Sequence, residues 1–417
     1  RPPIQKIADK AVFWFIPSVL FVAILVFAGW YFIAGASLVF SFTTFIAVLV
    51  IACPCALGLA SPTAVTVGIG RGAELGLLIK NGEVLEVAPQ VNTVVFDKTG
   101  TLTSGYPEVD QIITNSVDSR YVLCAAASVE KNSQHPIALA ITKAAEKDGV
   151  VLSETHSFSS IDGKGVNATV NGKEILIGNR LTMKENMVDI TSIDKSVFEY
   201  ESKGNTAVFV AEEKYLIGAL VIADTLKKTS LEAVTALKNM NINVVMMTGD
   251  NNRTAQSIAA QAGIESVISE VLPQHKAEEV KRLQKDGKIV AFVGDGINDA
   301  PALSQADIGI AMGNGTDIAV ESGDVVLVNS DPVYTVAAIQ LGRKLISKIK
   351  WNLFWAFAYN ISLIPLAAGI LYPVWKITFK PEIAGFAMAL SSVTVVSLSL
   401  LLKTYTPPVL GEKRVHV

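Results

Sequence analysis

The 417 residues are 50% hydrophobic and only 18% charged, with a formal net charge of -3 and a mean hydropathy of +0.43. That balance is too apolar for an ordinary soluble domain and lacks the basic excess of a nucleic-acid partner. With only 3 cysteines, and a large part expected in a reducing compartment, a disulfide framework is not expected.

In chain order, no Asp, Glu, Lys, Arg or His occurs between Lys10 and Arg71. That length holds two helices of about 20 residues, the bilayer requirement, and residues 11–33 and 38–59 fit. The first stretch is too long for a signal peptide and follows Arg1, Lys6 and Lys10 without an initiator Met, so a longer parent protein is expected. In the second, IACPCALGLASP (51–62) sets Cys53 and Cys55 either side of Pro54. A proline inside a helix removes a backbone hydrogen bond and unwinds the chain, which should free the carbonyl around Val50. Two soft thiolates there select Cu(I) or another soft ion; the plainer reading is a pair of buried apolar cysteines.

Residues 72–349 carry ordinary polar alternation and should form a large soluble part. The runs NTVVFDKTGT (92–101), INVVMMTGD (242–250), KIVAFVGDGINDAPAL (288–303), DIGIAMG (307–313) and DVVLV (324–328) alternate with helical patterns at 229–240, 254–262 and 276–284. Apolar strands alternating with helices predict a parallel sheet covered on both faces. The site of such a sheet lies beyond the carboxyl ends of its strands, where Asp97, Thr248 and Asp295 fall. Residues 118–215 are too many for a loop and read as an inserted domain. A strand-end Asp most simply caps the next helix. Followed by Lys98, Thr99, Gly100 and Thr101, Asp97 is also a candidate carboxylate nucleophile toward phosphorus. Mg²⁺ at Asp295, together with Lys276 and the Thr248-Gly249 turn, could then balance the developing charge.

Residues 351–375 and 383–402 are again uncharged and predict two more spans. Arg71, Lys80, Arg343, Lys344, Lys348 and Lys350 flank the soluble part, which places it in the cytosol with both chain ends. The domains expected are thus 1–71 membrane, 72–117 and 216–349 two parts of the sheet domain, 118–215 the insertion, 350–403 membrane and 404–417 a cytosolic tail. No Asp or Glu lies in any of the four spans, which disfavours a divalent cargo, since ionised groups in lipid are kept only for function. Tyr359 and Asn360 lie in the third span, and Met388, Ser391 and Ser392 in the fourth. Taken singly, such a Met reads as packing and such serines as helix contacts.

DKTGT (97–101), TGD (248–250) and GDGINDAP (294–301), in this order on this sheet pattern, resemble the phosphorylation domain of P-type ATPases. The resemblance covers essentially the whole chain. It implies a haloacid-dehalogenase-like Rossmannoid α/β phosphorylation domain with an inserted α+β nucleotide-binding domain and four transmembrane helices. Carried over by position, it implies that Asp97 takes the γ-phosphate of ATP, with Lys98 and Thr99 in the same loop. Asp97 and Asp295 bind Mg²⁺, and Asn298 and Asp299 complete the motif. Thr248, Gly249 and Asp250 form the phosphate-contacting turn, Lys276 neutralises the phosphate, and Asp224 to Lys227 form a hinge. In the insertion, Glu130, His135, Gly163 and Gly165 match the adenine-binding pattern of the heavy-metal subclass. Gln134 departs from the usual Ser-Glu-His-Pro. A lone His-Pro is otherwise loop punctuation.

The Cys53-Pro54-Cys55 run marks the same subclass. With Tyr359, Asn360, Met388 and Ser392 it resembles the copper(I) branch, and silver(I) would satisfy the same chemistry. The resemblance therefore implies ATP-driven export of Cu⁺ through an aspartyl phosphate at Asp97. The partners implied are ATP, membrane lipid, a soluble copper chaperone, and an upstream region with actuator and metal-binding domains. The plasma membrane is the expected location. No Thr-Gly-Glu occurs in the chain, and Thr99 stands where phosphatases of this fold place a water-activating carboxylate, so turnover should need the actuator. Two alternatives share some of these features. A membrane-tethered phosphatase is disfavoured by Thr99 and the insertion. A metal-binding membrane protein with a regulatory soluble domain leaves the phosphate motifs unexplained.

Overall fold

The computed structural model describes residues 3–53, 55–133, 135–161 and 164–411. The chain divides into two compact units, Arg1–Gln90 with Ala337–Val417, and Val91–Val336.

In the second unit, six strands form a parallel sheet in the order Val325–Leu327, Ile308–Met312, Val290–Gly294, Thr93–Asp97, Asn243–Met247 and Ser266–Ile268. TVVFD, VAFVG and IGIAM are buried at every position, as a sheet covered on both faces requires. Val95, Val245, Met247 and Phe292 pack there with Val280 and Leu303 from the helices. Register aligns the strand ends: Asp97 pairs with Met247 and Phe96 with Val293. The loops after Asp97, Met247 and Gly294 therefore leave the sheet along one edge. The helix Asn252–Ala262 starts straight after the second of them, with Asn251 accepting from Thr254 N as its cap.

Between the first two of these strands in sequence lies an antiparallel six-stranded sheet, in the order Glu108–Thr114, Tyr215–Ala223, Thr206–Glu212, Lys173–Gly178, Gly165–Val170 and Thr155–Ile161. The helices Ser119–Glu130 and Pro136–Lys147 cover one face through Val122, Leu123, Ile141, Val166 and Leu220. Arg180–Glu185 and Thr191–Glu201 cover the other through Met183, Val197 and Phe209. The ladder begins at Glu108 and ends at Ala223, which pair with each other. The insertion is thus wider than the expected 118–215, because both flanking segments join its sheet. Three contacts also tie it to the helix after Met247. Arg253 Nη1 meets Glu201 at 2.7 Å, Thr254 Oγ1 donates to Asn205 O at 2.8 Å, and Gln261 Nε2 donates to Lys203 O at 3.2 Å.

The first unit is mostly helical: Pro3–Ala28 continuing into Gly29–Ile33, Leu38–Ile51, Cys55–Glu74, Gly82–Val87, Val333–Ala367, Tyr372–Trp375 and Pro381–Leu400, with one short strand, Leu77–Ile79. Among the described residues, three segments are long and apolar enough to cross a membrane: Phe13–Ile33, Leu38–Glu74 taken through its break, and Pro381–Thr404. The stretch 351–375 is the second half of the 35-residue helix Val333–Ala367 and the short helix after it. Small residues let the backbones approach, as Ala23, Ala47, Ala367 and Ala384 are all fully buried in one cluster. The expected single span 38–59 is two helices, the second running on to Glu74. At the break the Val50 carbonyl is not freed: the last turn tightens, and Cys53 N donates to it at 3.2 Å.

Candidate functional site

Asp97 ends its strand in an extended conformation, and its side chain makes no capping hydrogen bond, which removes the plain reading of a helix cap. It is 6% exposed. Lys276 Nζ donates to Asp97 Oδ1 and to Asp299 Oδ1, both at 2.7 Å. The other Asp299 oxygen accepts from the N–H groups of Asp295 and Gly296 at 3.2 Å. Asp97, Asp295 and Asp299 each offer an oxygen within 4.8 Å of the others. Burial and the Asp299 charge lift Asp97 to about 7 against the pull of Lys276. The same two causes lift Asp295 to about 6. Lys276 is held above its usual value, since Asp97 and Asp299 together outweigh its burial. Burial and mutual repulsion among the three carboxylates thus outweigh the pull of Lys276 on Asp97 and of Lys227 and Lys276 on Asp295. Clustered hard oxygen donors fit Mg²⁺, with Asp97 and Asp295 as the expected holders.

Lys98 is buried and paired with Asp250. Its burial is outweighed by that charge, which holds its pKa above the usual value. Thr99 is half-buried and extended. At Gly100, φ is +70, and a Cβ would stand 1.6 Å from Asp295 Oδ2, so no side chain fits there. Thr248 is buried and its hydroxyl accepts from Asp250 N at 3.1 Å, while Gly249 and Asn298 are exposed. Support for the Asp97 loop comes from residues that sequence reading treated only as a hinge. Asp224 accepts from Ser104 Oγ at 3.1 Å, from Gly105 N at 3.2 Å and from the Thr103 hydroxyl. Lys227 Nζ donates to Gly100 O at 2.6 Å and to Ser330 O at 2.8 Å. Their spacing of three positions just after a strand is visible in the sequence, but not which loop they hold.

In the insertion, Glu130 ends its helix 6% exposed, and burial lifts it to about 7, with Ser133 opposing. His135 is exposed and caps the next helix, its Nδ1 accepting from Ile137 N at 3.3 Å. Gly165 opens the strand beneath Ser119–Glu130, at φ +151, where a Cβ would be 2.0 Å from Ile177 O. Gly163, Gln134 and Pro54 lie outside the described residues.

In the helical unit, Cys53 and Cys55 are joined sulfur to sulfur, their Cα atoms 5.5 Å apart. This corrects the expectation of two free thiols. At the helix break both side chains turn to one point. Tyr359 is half-buried and Asn360 buried on Val333–Ala367; Met388 and Ser392 are half-buried on Pro381–Leu400. That last helix packs against both Leu38–Ile51 and Cys55–Glu74.

A family model described as haloacid dehalogenase-like hydrolase matches residues 91–307. The chain is 54% identical over 410 residues to a probable copper-exporting P-type ATPase of Archaeoglobus fulgidus, covering 98% of this chain and 50% of that protein. To the probable copper-transporting ATPase PacS of Synechococcus elongatus it is 46% identical over 409 residues, covering 98% and 55%. The fold is similar to the crystal structure of a zinc-transporting PIB-type ATPase in the E2.Pi state, at 32% identity and a TM-score of 0.72, covering 93% of this chain and 62% of that one. The catalytic domain of the CPx-ATPase CopB-B gives 31% identity and a TM-score of 0.53, covering 63% of this chain and 95% of that one. The chain spans about half the length of the curated relatives it matches. A haloacid dehalogenase-like core bearing this crevice, matched over half the chain, joined to helices matched with it over nearly all the rest, makes this chain a member of the heavy-metal P-type ATPases.

Proposed function

We propose that the parent protein exports copper(I) across a membrane, driven by ATP, through an aspartyl phosphate at Asp97. The observation that carries this reading is the uncapped, buried Asp97 carboxylate, gripped by Lys276 beside Asp295 and Asp299. An Asp97 oxygen attacks the γ-phosphorus of ATP, a new P–O bond forms, the bond to the bridging β–γ oxygen breaks, and ADP leaves. Mg²⁺ held by Asp97 and Asp295 supplies charge neutralisation on the transferring phosphoryl group. Lys276 holds Asp97 in line and shares the charge, Lys98 is fixed by Asp250, and the Thr248-Gly249 turn offers donors at the crevice edge. Glu130, His135, Gly163 and Gly165 are proposed to seat the adenine. Water then hydrolyses the acyl phosphate, a step assigned to an upstream actuator domain.

The ion is proposed to sit between the reduced sulfurs of Cys53 and Cys55, with Met388 as a further soft donor and Tyr359, Asn360 and Ser392 around it. The uncharged helices suit a monovalent soft ion, copper(I) or silver(I). Delivery by a soluble copper chaperone and a plasma-membrane location with cytosolic soluble domains belong to the same proposal. The test is ³²P incorporation from γ-labelled ATP into the full-length protein. The expected product is acid-stable, hydroxylamine-labile, dependent on Cu(I), and absent in Asp97→Asn while ATP affinity stays close to wild type. Normal labelling in Asp97→Asn overturns the assignment.

A further inference from the structure

One fully buried polar side chain in the helical unit has no part in the chemistry above. Asn352, 0% exposed, lies on Val333–Ala367. Its Nδ2 donates to Ser399 Oγ at 2.8 Å on Pro381–Leu400 and to Ala60 O at 3.4 Å on Cys55–Glu74. The Ser399 hydroxyl in turn donates a hydrogen bond to Val395 O at 2.9 Å. Among the described residues, the Asn352 Oδ1 atom is buried without a partner. An amide that leaves its acceptor unmet in apolar surroundings is a poor choice for stability alone, and a leucine would serve the packing better.

The three helices joined by this one amide carry Cys55, Met388 with Ser392, and Tyr359 with Asn360, while Cys53 lies just before the first of them. Along them, at 3.6 residues per turn, Cys55 stands about one and a half turns from Ala60. Tyr359 and Asn360 stand about two turns from Asn352, and Ser392 and Met388 about two and three turns from Ser399. What otherwise packs around this layer is Ala56, Ala60, Ala356, Val395 and Leu353. Small and aliphatic side chains bring helices close but do not fix how far one has slid along another; a directed hydrogen bond does. We propose that Asn352 is a positioning residue that sets the register of these three helices, so that Cys55 and Met388 meet one ion beside Tyr359 and Asn360. The inference rests on Cys55 and Met388 being ligands.

The test uses the full-length protein in lipid nanodiscs, with Cu(I) affinity read by competition against a chromophoric chelator and coordination read by X-ray absorption. Asn352→Leu is expected to weaken Cu(I) binding about tenfold, the scale of an interhelical hydrogen bond, and to remove one sulfur from the first shell. The melting temperature should stay unchanged or rise, because no buried donor is stranded. Ser399→Ala should weaken binding in the same direction, by less, and should add nothing to Asn352→Leu in the double variant. Asn352→Gln, which keeps the donor on a longer arm, should recover part of the affinity. Affinity within twofold of wild type in Asn352→Leu overturns the proposal, as does an affinity loss that merely follows a fall in melting temperature across all three variants. Unchanged copper binding in a Cys53→Ser, Cys55→Ser double variant would instead refute the ion site itself, whatever Asn352 does.

Discussion

The crevice at the strand ends and the helical unit bury polar groups by opposite rules. In the crevice Asp97, Lys98, Lys276 and Asp299 are all charged and under 10% exposed, and each meets an opposite charge. Among the described residues, the long apolar helices bury Ser41, Thr44, Thr335, Asn352, Asn360, Ser391 and Ser399, none of them charged, and the buried Glu86 lies outside them on the short helix Gly82–Val87. Removing a charge from water is tolerable when a partner of fixed geometry answers it. In lipid-facing helices such pairs are expensive and rare. The crevice therefore answers its buried charges with fixed partners, whereas the long helices bury only uncharged polar groups.

The largest effect that could break this contrast lies in the helices. Replacing Cys53 and Cys55 together by Ser exchanges two soft donors for hard hydroxyls, and high-affinity Cu(I) binding should be lost. X-ray absorption of the copper-loaded protein should show a sulfur-only shell before the change. A shell dominated by nitrogen or oxygen in the unchanged protein would mean the neutral site is mere packing.

Next comes the loop that carries Asp97. Lys227→Ala leaves Gly100 O and Ser330 O without their shared donor, so the loop loses its support while the nucleotide contacts remain. Phosphorylation should slow about 10–100-fold, in line with small misplacements of reacting groups, with little change in the ATP concentration needed. Lys227→Arg should recover part of the rate. A pure rise in KM with kcat intact would contradict this positional role.

A smaller effect tests the crowded carboxylates of the crevice. Asp97 and Asp295 are lifted from an ordinary 3.8 to about 7 and about 6, so folding favours their protonated forms. Their contribution to stability is full below about pH 4 and is lost as pH rises through 6 and 7. In EDTA the phosphorylation domain should melt progressively lower from pH 5.5 to 7.5. Mg²⁺ should raise the melting temperature more at pH 7.5 than at 5.5. Asp295→Asn should shrink that difference, and an equal Mg²⁺ effect at both pH values would show that titration of the carboxylates is not coupled to the ion.

The smallest expected change is at His135, whose exposed ring also caps a helix. His135→Ala should weaken ATP binding a few-fold, measured by calorimetry on the full chain, with a modest loss of stability from the missing cap. Unchanged affinity would leave His135 only its capping role.

The strands that carry Asp97, Thr248 and Asp295 were legible because each is an apolar run stopped by Asp, Thr or Gly, and both faces of the sheet demand that pattern. The edge strand EVDQIIT was not: it is partly exposed along its length, and alternation of that kind reads equally as a connector. The break at Ala52 and Cys53 followed from proline chemistry, yet the tightening of the last turn that occupies Val50 O is a local choice which composition does not dictate. The roles of Asp224, Lys227 and Asn352 depend on contacts across more than a hundred residues, beyond the reach of any spacing rule.

The pairing of Glu108 with Ala223 has a consequence for how this architecture could arise and be re-engineered. A domain whose entry and exit share one rung of a ladder can be cut out and its gap closed by a few residues, with neither remaining piece forced to rethread. Such an insertion is a detachable module in the topological sense. Its two chain crossings lie side by side at that rung, and its orientation on the sheet domain is held by the contacts of Arg253, Thr254 and Gln261.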